Sequence, residues 1–111
     1  MRAAYEAAWR AANPERVRAY ARKHHLRSFG LTPDDYVALL EAQGGTCALC
    51  GRPERVKDRM GNTRTNLAVD HDAITGAVRG LLCHHCNAAI GHAEHEPRLL
   101  RLMADYLEAA A

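Results

Sequence analysis

Residues 67–87 read LAVDHDAITGAVRGLLCHHCN, and CALCG at residues 47–51 reads as their upstream counterpart. Each stretch carries one Cys-x-x-Cys pair, Cys47/Cys50 and Cys83/Cys86, and these are all four cysteines of the chain. A Cys-x-x-Cys turn aims two sulfurs at one point, and two such turns complete a tetrahedral zinc site with bonds of about 2.3 Å. Gly51 follows the first pair, as a tight knuckle prefers. Residues 51–82 separate the pairs, a longer interval than a simple zinc ribbon, so a whole substructure must lie between the knuckles.

Two disulfides, an iron–sulfur cluster or a redox Cys-x-x-Cys would use the same residues. Zinc is the favoured reading because the pairing consumes every cysteine. The start of the chain, MRAAYEAAWRAANPER, also carries charges throughout and reads as no secretory signal, which points to a reducing, cytoplasmic compartment. Four thiolates leave no open coordination position, so this zinc is expected to be structural, with His84 and His85 outside its ligand set. Zinc binding contributes on the order of 10–16 kcal/mol in small zinc-folded units. Small domains have only about 5–15 kcal/mol of net stability, so the metal-free segment is expected not to fold.

Within the interval, Leu67-Ala68-Val69 reads as a short strand, Thr75-Gly76 as a turn and Ala77-Val78-Arg79-Gly80 as a returning strand. Asp70-His71-Asp72 therefore stands where a strand meets a turn. A solvated acidic turn is the plain reading of such a triplet, and Asp72 fits it as a turn former. That reading does not explain why the triplet is bracketed by zinc knuckles on both sides. A short helix is expected around residues 84–91, ended by Gly91. A last helix is expected from Pro97, with Leu99, Leu100, Met103, Tyr106 and Leu107 on one side.

Upstream, Arg52 to Asn66 is polar and reads as a loop. Thr32-Pro33-Asp34-Asp35 opens a helix, with Thr32 as cap, Pro33 at the first position and two acids at the positive end. Leu31 and Tyr36 stand where a hydrophobic staple would place them. Val37, Leu39 and Leu40 are its expected buried side, and Gly44-Gly45 its stop. Residues 2–12 are alanine-rich and helical by propensity. Asn13 is the expected cap of a further helix over residues 14–27, with Val17, Tyr20, Ala21 and His24 on its docking face and Gly30 at its end.

The chain has 111 residues, a formal net charge of +2 and only six aromatic residues, and its 48% hydrophobic content is inflated by alanine. Such a chain supports one small domain that needs a staple. No apolar run is long enough for a transmembrane helix. The mean charge conceals an asymmetry: residues 1–30 carry a net of +5 and residues 31–111 a net of −3. Arg16, Lys23 and Arg27 edge the second helix on one side, Arg18 and Arg22 on the other. The expected organisation is a basic helical extension over residues 1–30, suited to phosphates, and a zinc-bound unit over residues 31–111.

CALCG, LAVDHD, the Thr-Gly turn, VRGLLC and CHHCNAAIG occur in an order and at spacings that resemble the recombination endonuclease VII family of His-Me finger (ββα-metal, HNH-like) nucleases. LTPDDYVALLEAQGG, leading into CALCG, is similar to that family's approach segment, and the resemblance covers roughly residues 14–108. It implies an α+β fold in which a two-strand hairpin and a helix surround one catalytic divalent cation, Mg²⁺ or Mn²⁺. By position, Asp70 would be a metal ligand, His71 the general base and Asn87 the second protein ligand. Oxygen donors of this kind suit a hard cation, and Asn87 adjoins the zinc ligand Cys86.

The implied function is hydrolysis of a DNA phosphodiester, duplex or branched, with His71 taking a proton from water and leaving a 5′-phosphate and a 3′-hydroxyl. Relatives commonly read Asp-His-Asp-His, whereas Asp72 is followed here by Ala73. Arg79 and His92 are the nearest substitutes for the missing histidine, and Arg79 is a further candidate DNA contact. Each reads first as a strand-surface or loop residue, and His24, His25 and His95 as surface residues. Junction resolution would need two coordinated sites, hence a homodimer. The competing function is a zinc-ordered DNA-binding module without hydrolysis, and a sequence-recognising HNH nicking or restriction role keeps the chemistry but changes the biology.

Overall fold

The computed structural model describes residues 2–57, 60–61 and 66–110. Among them, five helices and one two-stranded antiparallel sheet form a small α+β fold. In chain order these are α1 (Arg2–Ala12), α2 (Pro14–Arg27), α3 (Pro33–Ala42), β1 (Ala68–His71), β2 (Val78–Leu82), α4 (His84–His92) and α5 (Pro97–Ala110). The expected polar loop over residues 52–66 is irregular where described, and its residues 58–59 and 62–65 lie outside the described set. The chain divides into two units, residues 1–38 and residues 39–111.

In the first unit, α1 and α2 follow the alanine-rich and proline-led patterns to the residue. Asn13 departs from its expected role: its side chain does not cap α2 but donates through Nδ2 to the Trp9 carbonyl at 2.8 Å, closing α1 instead. The side chain that α2 buries is Leu26, while Tyr20, Ala21 and His24 stay exposed and Val17 is half-buried. Helix α2 stops at Arg27, and Gly30 takes the left-handed conformation (φ +75°) in the turn after it. The start of α3 is capped reciprocally. The Asp35 N–H donates to Thr32 Oγ1 at 3.1 Å and the Thr32 N–H donates to Asp35 Oδ2 at 2.9 Å, a capping box built with aspartate. Tyr36 is buried with the Arg22 guanidinium over its ring at 4.3 Å, whereas Val37, expected inside, is 48% exposed.

In the second unit, β1 and β2 pair through Ala68 with Leu82, Val69 with Leu81 and Asp70 with Gly80, after which the register slips so that His71 faces Val78. Arg79 is thus the extra residue of a β-bulge, a device that bends a strand and redirects a side chain. The connecting turn is organised by Asp72, whose Oδ1 accepts from the Ile74 and Thr75 N–H groups at 2.9 and 2.8 Å. Gly76 completes it at φ +74°. Asp72 therefore acts as the turn former.

The interior of this unit is small. Leu67, Val69, Leu81 and Leu82 are buried together with Cys47, Cys83 and Ala93, and Leu81, Cys83 and Ala93 are fully removed from solvent. The Gln43 amide, just past α3, substitutes for a third strand. Its Oε1 accepts from the Leu81 N–H at 2.9 Å, and its Nε2 donates to the Leu81 carbonyl at 2.8 Å and the Thr46 carbonyl at 2.9 Å. The Ala48 N–H adds a bond to the Leu81 carbonyl at 3.1 Å, so the first cysteine knuckle hangs directly on β2.

Helix α5 forms as expected; of its expected one-sided residues Leu99 is half-buried, while Leu100, Met103, Tyr106 and Leu107 are exposed, as is Leu102. Gln43→Ala should cost the zinc-loaded protein about 1–3 kcal/mol, because it strands the buried Leu81 N–H without its partner; denaturant unfolding at constant zinc measures the loss.

Candidate metal centre

Two tight turns bring the cysteines together. In the first, the Gly51 N–H closes on the Cys47 carbonyl at 3.0 Å, with Gly51 at φ +73°, and the Cys47 N–H reaches the Arg52 carbonyl at 2.9 Å. In the second, Cys83 leaves β2 in an extended conformation and caps α4, its Sγ accepting from the Cys86 N–H. All four Sγ atoms lie within 4.8 Å of one another, with Cys50 and Cys83 at 3.9 Å. A tetrahedron with zinc–sulfur bonds of about 2.3 Å has edges of about 3.8 Å, so the cluster can hold a zinc ion.

The electrostatics suit a cation there. Burial raises the Cys47 thiol, but hydrogen bonds with the backbone of Cys50, Cys83 and Leu49 outweigh it and bring Cys47 down to about 6 from 9.0. Burial, followed by the neighbouring sulfurs, pushes Cys86 up to about 12.

Neither histidine of the second knuckle is needed as a ligand. His84 is engaged by Glu54, a buried carboxylate that sequence reasoning missed. Glu54 Oε1 accepts from the Arg55 and Val56 N–H groups, both at 3.0 Å, and Oε2 accepts from the His84 N–H at 2.9 Å and pairs with His84 Nδ1. Burial alone would raise this carboxyl. The Val56 N–H and the His84 ring and N–H prevail and hold it at about 2. Glu54 thus ties the segment after the first knuckle to the start of α4. Its only mark in the sequence is an acid between Pro53 and Arg55.

Beside the cysteines, β1 ends in Asp70 and His71. Asp70 is buried and His71 is exposed at the strand terminus. The bulge turns Arg79 onto Asp70, with Nε donating to Oδ2 and Nη2 to Oδ1, both at 2.9 Å. Nη2 also approaches the His71 carbonyl at 3.3 Å and His95 Nδ1 at 3.0 Å. The bonds to Asp70 raise the guanidinium's already high proton affinity further. Arg79 is therefore more than the strand-surface residue the sequence suggests, and His95, read as a surface residue, is a half-buried member of this cluster. Two left-handed residues, Glu94 (φ 58°) and His95 (φ 56°), turn the chain back after α4 and carry His95 there. No sequence pattern announces that turn, because neither residue is glycine.

Asn87 is half-buried on α4, which packs against both β1 and β2, and its N–H continues the helix ladder to the Cys83 carbonyl at 3.0 Å. No hydrogen bond joins Asn87 to Asp70 among the described residues. His92 is exposed at the end of α4. The carboxylate and amide oxygens on these elements have the chemistry of a hard-cation donor set, and Asp70 already has a positive group against it. In the first unit, Arg16, Arg18, Lys23 and Arg27 are exposed on α2, while Arg22 is half-buried on Tyr36.

The family model described as recombination endonuclease VII matches residues 22–109. The chain is 42% identical over 83 residues to the Gene 59 protein of Mycobacterium phage D29, a match that covers 74% of this chain and 46% of the relative. It is 47% identical over 62 residues to the Gene 59 protein of Mycobacterium phage L5, covering 56% and 34% respectively. These matches span less than half the length of either relative. No solved structure matches the chain.

The purified protein should contain one zinc ion per chain by elemental analysis. Because protons compete for the same sulfurs, zinc affinity measured against a chromophoric chelator should rise with pH and fall as the solution is acidified. A metal-free protein with four titratable thiols and an unchanged circular dichroism spectrum would contradict the assignment.

Proposed function

The chain belongs to the recombination endonuclease VII family, and on that premise we propose that it is a metal-dependent endonuclease that hydrolyses phosphodiester bonds of DNA. The reading takes β1, β2 and α4 as a His-Me finger (ββα-metal, HNH-like) core and residues 31–111 as the nuclease domain. Residues 1–30 are its basic helical extension, with Arg16, Arg18, Arg22, Lys23 and Arg27 as DNA contacts. The observation that carries it is the junction of Asp70 and His71, at a bulged strand end, with a helix that starts on a cysteine of the metal cluster and bears Asn87.

In this reading Asp70 and Asn87 supply the oxygen donors for Mg²⁺ or Mn²⁺, cations that bind through few protein groups plus phosphate. Bound there, the cation would neutralise charge on a non-bridging and the leaving oxygen of the phosphate. His71, exposed at the strand end, takes a proton from the attacking water as general base. Attack in line leaves a 5′-phosphate and a 3′-hydroxyl. A zinc ion held by the four cysteines would add no chemistry, but it would fix the start of α4 and so the position of Asn87.

The same reading proposes a cytoplasmic protein that nicks or resolves branched DNA, a role for which a homodimer would bring two sites together. Supercoiled plasmid and a four-way junction, each with Mg²⁺ or EDTA, test it. Wild type should cut in Mg²⁺ alone, and His71→Ala should lose about 10²–10⁴-fold in rate while still binding DNA. Paired symmetric cuts in the junction indicate resolution, and scattered nicks a general endonuclease. Mg²⁺-independent binding with no cleavage by wild type would replace the proposal with the zinc-ordered DNA-binding module.

A further inference from the structure

Asp70, the carboxylate that the nuclease reading assigns to the divalent cation, has both oxygens held by one guanidinium. The hold is a product of the fold. In an unbroken ladder His71 would face Arg79, and Arg79 would project from the opposite side of the sheet to Asp70's pair. The bulge makes Arg79 the unpaired residue opposite the Asp70–His71 step and swings it onto the carboxylate. Gly80, Asp70's partner across the ladder, contributes no side chain to interfere.

The other end of the cluster is also specified. After α4 the Glu94 N–H bonds to the Gly91 carbonyl and the His95 N–H to the Ile90 carbonyl, both at 3.0 Å. This is a Schellman closure with glutamate where glycine is usual. Both Glu94 and His95 lie in the left-handed region, a conformation that non-glycine residues adopt at a cost and that clusters at functional sites. A guanidinium only donates, so His95 Nδ1 must accept the bond from Arg79 and carry its ring proton on Nε2. Nη2 has two hydrogens but faces three acceptors, Asp70 Oδ1, the His71 carbonyl and His95 Nδ1. Arg79 can thus release Asp70 Oδ1 and remain tethered at the site through His95.

We infer that Arg79 is a positioning residue that guards Asp70: it holds the carboxylate until a DNA phosphate offers it a replacement anion, so that divalent-cation and phosphate binding at this hairpin strengthen each other. The inference rests on the nuclease reading. A cation arriving without DNA must share Asp70 with a fixed positive charge, which repels it. When phosphate is present, Arg79 has a second acceptor that matches its fork, and Asp70 is relinquished to the cation. Linkage requires the coupling to be reciprocal: the cation tightens DNA by the same factor as DNA tightens the cation. The nuclease would then load its metal mainly on DNA.

Mn²⁺ binding, followed by electron paramagnetic resonance, tests this on the zinc-loaded 111-residue chain in a His71→Ala background, whose slowed cleavage leaves the DNA intact over the measurement. Arg79→Gln should bind Mn²⁺ without DNA roughly tenfold more tightly than the parent, within the 5–150-fold range usual for coupled sites. A short duplex should tighten Mn²⁺ binding less in Arg79→Gln than in the parent. Arg79→Lys, which keeps the charge but loses the two-point grip, should fall between them, and it decides the matter if Arg79→Gln fails to retain zinc and its circular dichroism spectrum. A merely structural arginine predicts equal or weaker Mn²⁺ binding in both variants, and that result overturns the inference. Asp70→Asn separates the two levels. If it leaves Mn²⁺ binding intact, the metal role of Asp70 falls and the inference with it; if it abolishes binding that Arg79 variants do not alter, only the inference falls.

Discussion

Four sulfur atoms that cannot all carry charge side by side, yet are held within 4.8 Å of one another, are the constraint on which residues 39–111 depend. The unit has few large apolar side chains to bury, and two of its buried core residues, Cys47 and Cys83, are members of the cluster itself. A cation among the sulfurs would convert mutual repulsion into four strong bonds and would substitute for part of the apolar interior that so short a segment cannot assemble. The connections radiate from there. Ala48 and Gln43 fasten the first knuckle to β2, Cys83 joins β2 to α4, and Glu54 links the loop after the first knuckle to His84.

The second consequence is positional. The hairpin and α4 reach one another through Cys83, a single residue that ends a strand, caps a helix and belongs to the cluster. The end of β1 is therefore tied to the cysteine cluster through this one residue. The β-bulge adds the local departure from regularity that places Arg79 against Asp70. A buried carboxylate requires a positive neighbour, and the fold supplies one from the adjacent strand.

Much of this could be read in the chain beforehand, for identifiable reasons. Cys-x-x-Cys pairs, Thr-Gly turns and a Thr-Pro-Asp-Asp helix start are local signals whose physics lies within a few residues. They led to the cysteine cluster, the hairpin, α3 and the turn role of Asp72. Most of the departures concern partners distant in sequence. Glu54 meets His84 across thirty positions, Gln43 meets Leu81 across thirty-eight, and Arg79 meets His95 across sixteen. Asn13 turned backward to Trp9 because an asparagine between two helices can serve either end. The one-sided apolar pattern of α5 fixes its helical form but not its burial, and none of its residues is fully buried. The expected roles of Asp70, His71 and Asn87 come from a family pattern; the hairpin's contacts set Arg79 against Asp70, and His95 against Arg79.

A cation in the cysteine cluster should organise the hairpin and α4 as one cooperative unit. Amide hydrogen exchange on zinc-loaded and zinc-stripped protein addresses this directly, through the N–H groups of Ala48, Leu81 and Asn87, which bond across the first knuckle, β2 and α4. The expected result is protection of all three with zinc and its simultaneous loss on stripping. Persistent protection of Leu81 and Asn87 in the stripped protein would contradict the central claim, since the hairpin and helix would then hold together without the metal.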